Sequence, residues 1–90
     1  MTSSASTGGL TVSVLLFARY AELVGRSRVE ISLAGGATVG DLIDEFRRQV
    51  PESLTLPRRP LCAVNLTHVL SGHPLRNGDE VAILPPLAGG

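Results

Sequence analysis

Ninety residues bound the chain to one small domain, which buries only roughly two-thirds of its unfolded surface and has little room for an enclosed active-site cavity beside its core. Hydrophobic residues make up 43%, enough to fold, and eight basic side chains cancel eight acidic ones, which argues against nucleic acid or an anionic membrane as the main partner. Function is therefore expected on a surface or at a terminus.

All the basic residues are arginine, so no lysine amine is present to receive an isopeptide bond or form a Schiff base. The single cysteine, Cys62, excludes an intramolecular disulfide framework and a multi-cysteine zinc site. The first ten residues carry neither a basic nor an apolar stretch of the kind a signal peptide needs, and no apolar run approaches transmembrane length. A soluble cytoplasmic protein is the expectation.

Residues 1–10 are rich in Ser, Thr and Gly and are expected to form a disordered lead-in to a domain over residues 11–84. From Thr11 the pattern is strand-like, with Val12, Val14 and Leu16 alternating with Ser13, Leu15 and Phe17. Both faces turn apolar towards the end of this strand. Either it is central and covered on both sides, or its second face meets a partner.

Residues 18–24 (ARYAELV) have helical composition and stop at Gly25, a helix-ending residue. Val29, Ile31 and Leu33 then alternate with Arg28, Glu30 and Ser32 in a half-buried strand closed by Gly35-Gly36. Thr38 is a good N-cap, with Asp41 in capping-box position, and Val39, Leu42, Ile43, Phe46 and Val50 make a single apolar stripe. Asp41, Asp44 and Glu45 fall early and Arg47 and Arg48 late, as the helix dipole favours. The spacing predicts a helix over residues 39–50, ended by Pro51.

Three prolines mark residues 51–60 as a loop, with room for a short helical turn. Residues 61–66 read as a strand and Val69-Leu70 as a short further one; Asn77-Gly78 marks a turn, and residues 80–84 form the last strand with Val81 and Ile83 inward. Pro85-Pro86 prevents further sheet pairing. The expected fold is α+β, a mixed sheet with helix cover on one face, in which right-handed crossover makes the first and last strands parallel neighbours. That is the β-grasp arrangement, which projects residues 85–90 beyond the sheet as a flexible tail.

No phosphate-binding glycine loop is present, since Gly35-Gly36 alone is a turn. His68 and His73 lie five positions apart without a cysteine pair, a poor metal-ligand spacing, and no metal site is expected. Cys62 reads as a small buried hydrophobe, and Asp79 and Glu80 as solvated. The tail differs from all of these. Pro85-Pro86-Leu87-Ala88-Gly89-Gly90 is uncharged; the prolines stiffen its base, and the glycines leave its end without side chains, able to thread a narrow channel. Six extended residues reach about 20 Å, enough to deliver the terminal carboxylate of Gly90 into another protein's active site.

LLFARYAELVG (residues 15–25), ATVGDLI (37–43), AVN (63–65), HPLRNGDEVAILPP (73–86) and the terminal Gly-Gly together resemble the small subunit of molybdopterin synthase, within the ubiquitin-like sulfur-carrier group. The likeness runs from about Val12 to Gly90. It implies that a ubiquitin-activating-like adenylyltransferase adenylates Gly90 with ATP and Mg, that a persulfide sulfur donor replaces AMP to leave a thiocarboxylate, and that Gly89 gives clearance. It further implies that the large subunit takes the tail (Leu87 and Ala88 included) and that sulfur passes to cyclic pyranopterin monophosphate to build the dithiolene. The chain would bind no cofactor directly and would not be catalytic alone.

The resemblance also implies a docking face at Phe17, His68, Leu84, Pro85 and Pro86. At His68 a bulky apolar residue is more usual, and Ala21 stands where some relatives carry a basic residue. Three other readings stand beside it: a carrier for thiazole or cysteine synthesis, a protein modifier conjugated through Gly90, and an interaction module with an inert tail. Thiazole carriers generally lack the helix at residues 18–24 and the double proline.

Overall fold

The computed structural model describes residues 9–86; the expectations for residues 1–8 and for Leu87, Ala88, Gly89 and Gly90 lie outside the described residues. Five strands and two helices follow one another as β1 (Gly9–Leu16), α1 (Ala18–Val24), β2 (Arg28–Ala34), α2 (Val39–Gln49), a 3₁₀ turn (Pro51–Thr55), β3 (Leu61–Val64), β4 (Thr67–Val69) and β5 (Glu80–Leu84). The strands form one sheet in the order β2-β1-β5-β3-β4, with β1 and β5 parallel and every other pair antiparallel. This is a ubiquitin-like β-grasp. β1 lies inside the sheet beside β5, the parallel neighbour expected from the crossover rule, and begins at Gly9, two residues before the expected domain start.

The core forms between the sheet and α2. Val12, Val14 and Leu16 of β1 and Val81 and Ile83 of β5 join Leu42, Ile43 and Phe46 in one buried cluster, completed by Tyr20 and Val24 of α1. These are the apolar stripes of the sequence, and burying them removes their hydrocarbon from water. The two buried serines among the described residues, Ser13 and Ser53, are both hydrogen-bonded.

α2 begins where its capping box predicts. Asp41 N–H donates to Thr38 Oγ1 at 3.2 Å, and Thr38 N–H to Asp41 Oδ2 at 2.9 Å. Its other free amides meet the loop before β5, with Val39 N–H on the His73 carbonyl (2.9 Å) and Gly40 N–H on that of Ser71 (2.8 Å). Gly40 permits this approach, because a Cβ there would lie 3.3 Å from the Ser71 oxygen. The helix ends at Gln49, with Val50 as its cap rather than its last residue.

β3 differs from expectation. It stops at Val64, and Asn65 and Leu66 form a two-residue hairpin turn into β4, both with positive φ (48° and 77°). Apolar alternation continues through Leu66, which is why the sequence reads on as strand, and the following strand therefore lies at residues 67–69. No helix of the described residues is long and apolar enough to cross a membrane.

Candidate functional site

The face of the sheet away from α2 is uncovered among the described residues, and its composition follows from register. Leu15 pairs with Arg28 on one side and Ala82 on the other; Ala82 pairs with Ala63, and Ala63 with His68. Residues paired across strands share a face, so this row crosses the whole sheet. Its centre holds two alanines. Leu61 and Leu84 pair beside it, and Phe17 follows at the end of β1.

Small residues in the middle and larger ones around them make a shallow hollow of ≈ 340 Å³, lined by Leu15, Phe17, Ala63, Asn65, Leu66, His68, Glu80, Ala82 and Leu84. Phe17 is 47% exposed although it is aromatic. Its position follows from the β1–α1 junction, where Phe17 is extended (φ −129°) and Ala18 turns into the left-handed region (φ 50°). Leu84 and Pro85 are half-buried and Pro86 exposed where β5 leaves the sheet. The structure therefore brings Phe17, His68 and Leu84 to one hollow beside the root of the tail, while Leu87, Ala88, Gly89 and Gly90 lie outside the described residues.

One margin of this face is polar. Arg28 forms ion pairs with Glu30 (3.3 Å) and with Glu80 (3.4 Å), and its second guanidinium nitrogen donates to Ser13 Oγ at 2.8 Å. Ser13 in turn donates to Glu30 at 2.7 Å. This hydroxyl, and then the Arg28 guanidinium, hold the Glu30 carboxyl below its ordinary range. Glu80 is thus ion-paired and Asp79 bonded to the Asn65 amide at 3.0 Å, rather than simply solvated as expected. Two carboxylates face one cation, so this margin is anionic.

A second, more polar hollow of ≈ 410 Å³ lies at the Gly35-Gly36 turn, near Asp41, Asp44, Glu45 and Arg48. Glu45 and Arg48 pair with each other there. Because Ala34 pairs with Gly9 while Ile83 pairs with Leu16, it sits at the end of the sheet away from the tail root. Cys62 is in the core, its thiol pushed up to about 11 by burial. His73 contributes its backbone to α2, and no cluster of metal-ligating side chains occurs among the described residues.

Sequence reasoning missed Leu15, Ala63, Asn65, Leu66, Glu80 and Ala82 as lining residues. The second apolar face of β1 pointed to Leu15. Nothing local distinguishes Ala63 or Ala82 as a floor, since that depends on which strands lie side by side.

The ThiS family matches residues 14–90 of the chain. The molybdopterin synthase sulfur carrier subunit of Escherichia coli is 42% identical over 88% of this chain and 99% of its own length, and that of Arabidopsis thaliana 30% identical over 97% and 91%. Small archaeal modifier protein 1 of Haloferax volcanii superposes with a TM-score of 0.78 at 28% identity, covering 87% of this chain and 99% of that one. The chain belongs to the ThiS family and, within it, to the molybdopterin synthase sulfur carrier subunits.

Proposed function

We propose that this chain carries sulfur on the carboxylate of Gly90 and delivers it within a molybdopterin synthase. The observation that supports this most directly is that the family match runs to residue 90, so the terminal Gly-Gly belongs to the shared pattern. The relatives' name, sulfur carrier subunit, supplies the pathway. An exposed apolar hollow at the root of the tail suits a partner that holds both.

The chemistry follows from the weakness of a carboxylate as an electrophile. A Gly90 oxygen attacks the α-phosphorus of ATP, held with Mg by a ubiquitin-activating-like adenylyltransferase; pyrophosphate leaves and the acyl adenylate forms. The terminal sulfur of a protein persulfide attacks the acyl carbon and AMP leaves. A thiol then cleaves the sulfur–sulfur bond, becoming disulfide-linked to the donor and leaving a thiocarboxylate on the chain. Ionised and nucleophilic at neutral pH, this sulfur attacks a carbon of cyclic pyranopterin monophosphate in the large subunit, where an oxygen substituent leaves. Water then cleaves the resulting thioester, keeping sulfur on the substrate and restoring the Gly90 carboxylate, and two deliveries build the dithiolene. The chain supplies reach and a docking face; the large subunit supplies the pocket. The ATP that adenylation consumes suits a cytoplasmic location.

Intact-mass measurement on untagged protein from its native cell tests this reading. A fraction heavier by the difference between sulfur and oxygen is expected. Protein that stays unmodified in sulfur-replete cells making molybdopterin would overturn it. A deletion strain that loses thiazole but keeps its molybdoenzymes would reassign the pathway.

The likeness to small archaeal modifier protein 1 favours a second reading, in which a target amine attacks the same activated Gly90. Covalent conjugates ending in Gly90, isolated from cells, would establish it.

A further inference from the structure

We infer that Leu66 is an anchor for the large synthase subunit on the rim of the open-face hollow, an inference that rests on the function proposed above. Leu66 is unfavourable in the isolated chain on two counts. It is 97% exposed, and its φ of 77° lies in the left-handed region, where its Cβ crowds the following carbonyl. The second central residue of such a turn ordinarily favours glycine. Backbone strain of this kind persists where the surroundings over-determine it, and it gathers at binding surfaces.

The surroundings here do over-determine it. Asn65 N–H donates to the Glu80 carbonyl at 2.8 Å, Glu80 N–H to Asn65 Oδ1 at 3.0 Å, and the Asn65 amide to Asp79 Oδ1 at 3.0 Å. Three hydrogen bonds therefore fasten the hairpin tip to the start of β5. The backbone that carries Leu66 is thereby held at the hollow's edge, so that only its exposed side chain remains to be ordered on binding.

The occupant follows from the length of chain beyond Pro86. Four residues, 87–90, reach at most ~14 Å. A protein holding the Gly90 carboxylate must therefore press against the end of the sheet where Leu84 and Phe17 border the hollow. The hollow continues from there, over Ala82 and Ala63, to Leu66 at the Glu80 end of β5. A partner that fills it meets Phe17 at the near rim and Leu66 at the far one.

Calorimetric titration of the full chain into the large synthase subunit of the same organism tests this, with sedimentation of the chain alone alongside. Asparagine tolerates the left-handed region, so Leu66→Asn should leave the melting temperature unchanged or higher while weakening binding about tenfold or more. Leu70→Asn removes a leucine that is also exposed (85%) but outside the hollow, and should bind as the unaltered chain does. Equal affinity for Leu66→Asn and the unaltered chain would overturn the inference, as would equal weakening by both substitutions. So would an effect of Leu66→Asn confined to self-association, which would make a second copy the occupant. An unaltered chain that does not bind the subunit at all would instead remove the proposed function.

Discussion

Asn65 and Glu80, fifteen positions apart, exchange two hydrogen bonds: the Asn65 amide reaches the Glu80 carbonyl at 2.8 Å, and the Glu80 amide returns to Asn65 Oδ1 at 3.0 Å. The pair joins the β3–β4 hairpin to β5 and requires a residue that tolerates a φ of 48°. Asn65→Ala removes the side-chain acceptor and places a Cβ without compensation in the left-handed region. It should lower unfolding stability by about 1–2 kcal/mol, read by denaturant titration, and Asn65→Gly by less.

Ala18 offers an independent test of backbone strain. Its φ of 50° lets the chain turn from β1 into α1 while leaving Phe17 on the open face. A β-branched side chain is a poor occupant of that region, so Ala18→Val should destabilise by about 1–2 kcal/mol. Chemical denaturation with a preserved far-ultraviolet spectrum would verify it.

Cys62 should be slow to react with iodoacetamide near neutral pH until the protein is unfolded, because burial pushes its thiol up to about 11 from an ordinary 9.0. The same shift links stability to pH. Between those two values the unfolded chain has lost the thiol proton and the folded chain has kept it. Cys62's contribution is thus fully present below pH 9 and declines as pH rises towards 11. Cys62→Ala should flatten that part of a stability–pH profile.

At the terminus, removing Gly90 or adding any residue after it should abolish sulfur transfer and leave the melting temperature unchanged. An assay of molybdoenzyme activity in a complemented deletion strain reads the first effect and calorimetry the second. An extended chain that supports activity without being trimmed would refute it.

The sequence by itself determined what depends on neighbours along the chain. Thr38 and Asp41 define the start of α2 because a capping box closes within one helical turn, and Gly25 ends α1 because its φ of 82° suits glycine. The order of the elements was equally legible, and from it the parallel pairing of β1 with β5. The role proposed for the Gly-Gly terminus likewise rests on residue type alone.

Tertiary structure decided what depends on register. The end of β3 at Val64 was hidden because Asn65-Leu66 turns without a glycine while the apolar alternation runs on. Glu30 and Glu80 flank Ser13 across β1, and Arg28, opposite Leu15, reaches Glu80 only because β2 and β5 lie on either side of β1; a concave face exists only because Ala63 and Ala82 fall opposite one another. A strand's own residues state which of its faces is apolar, but not which neighbours complete that face. That choice lies in pairings between segments far apart in the chain, and it turns an exposed Leu66 from a surface residue into the rim of a hollow.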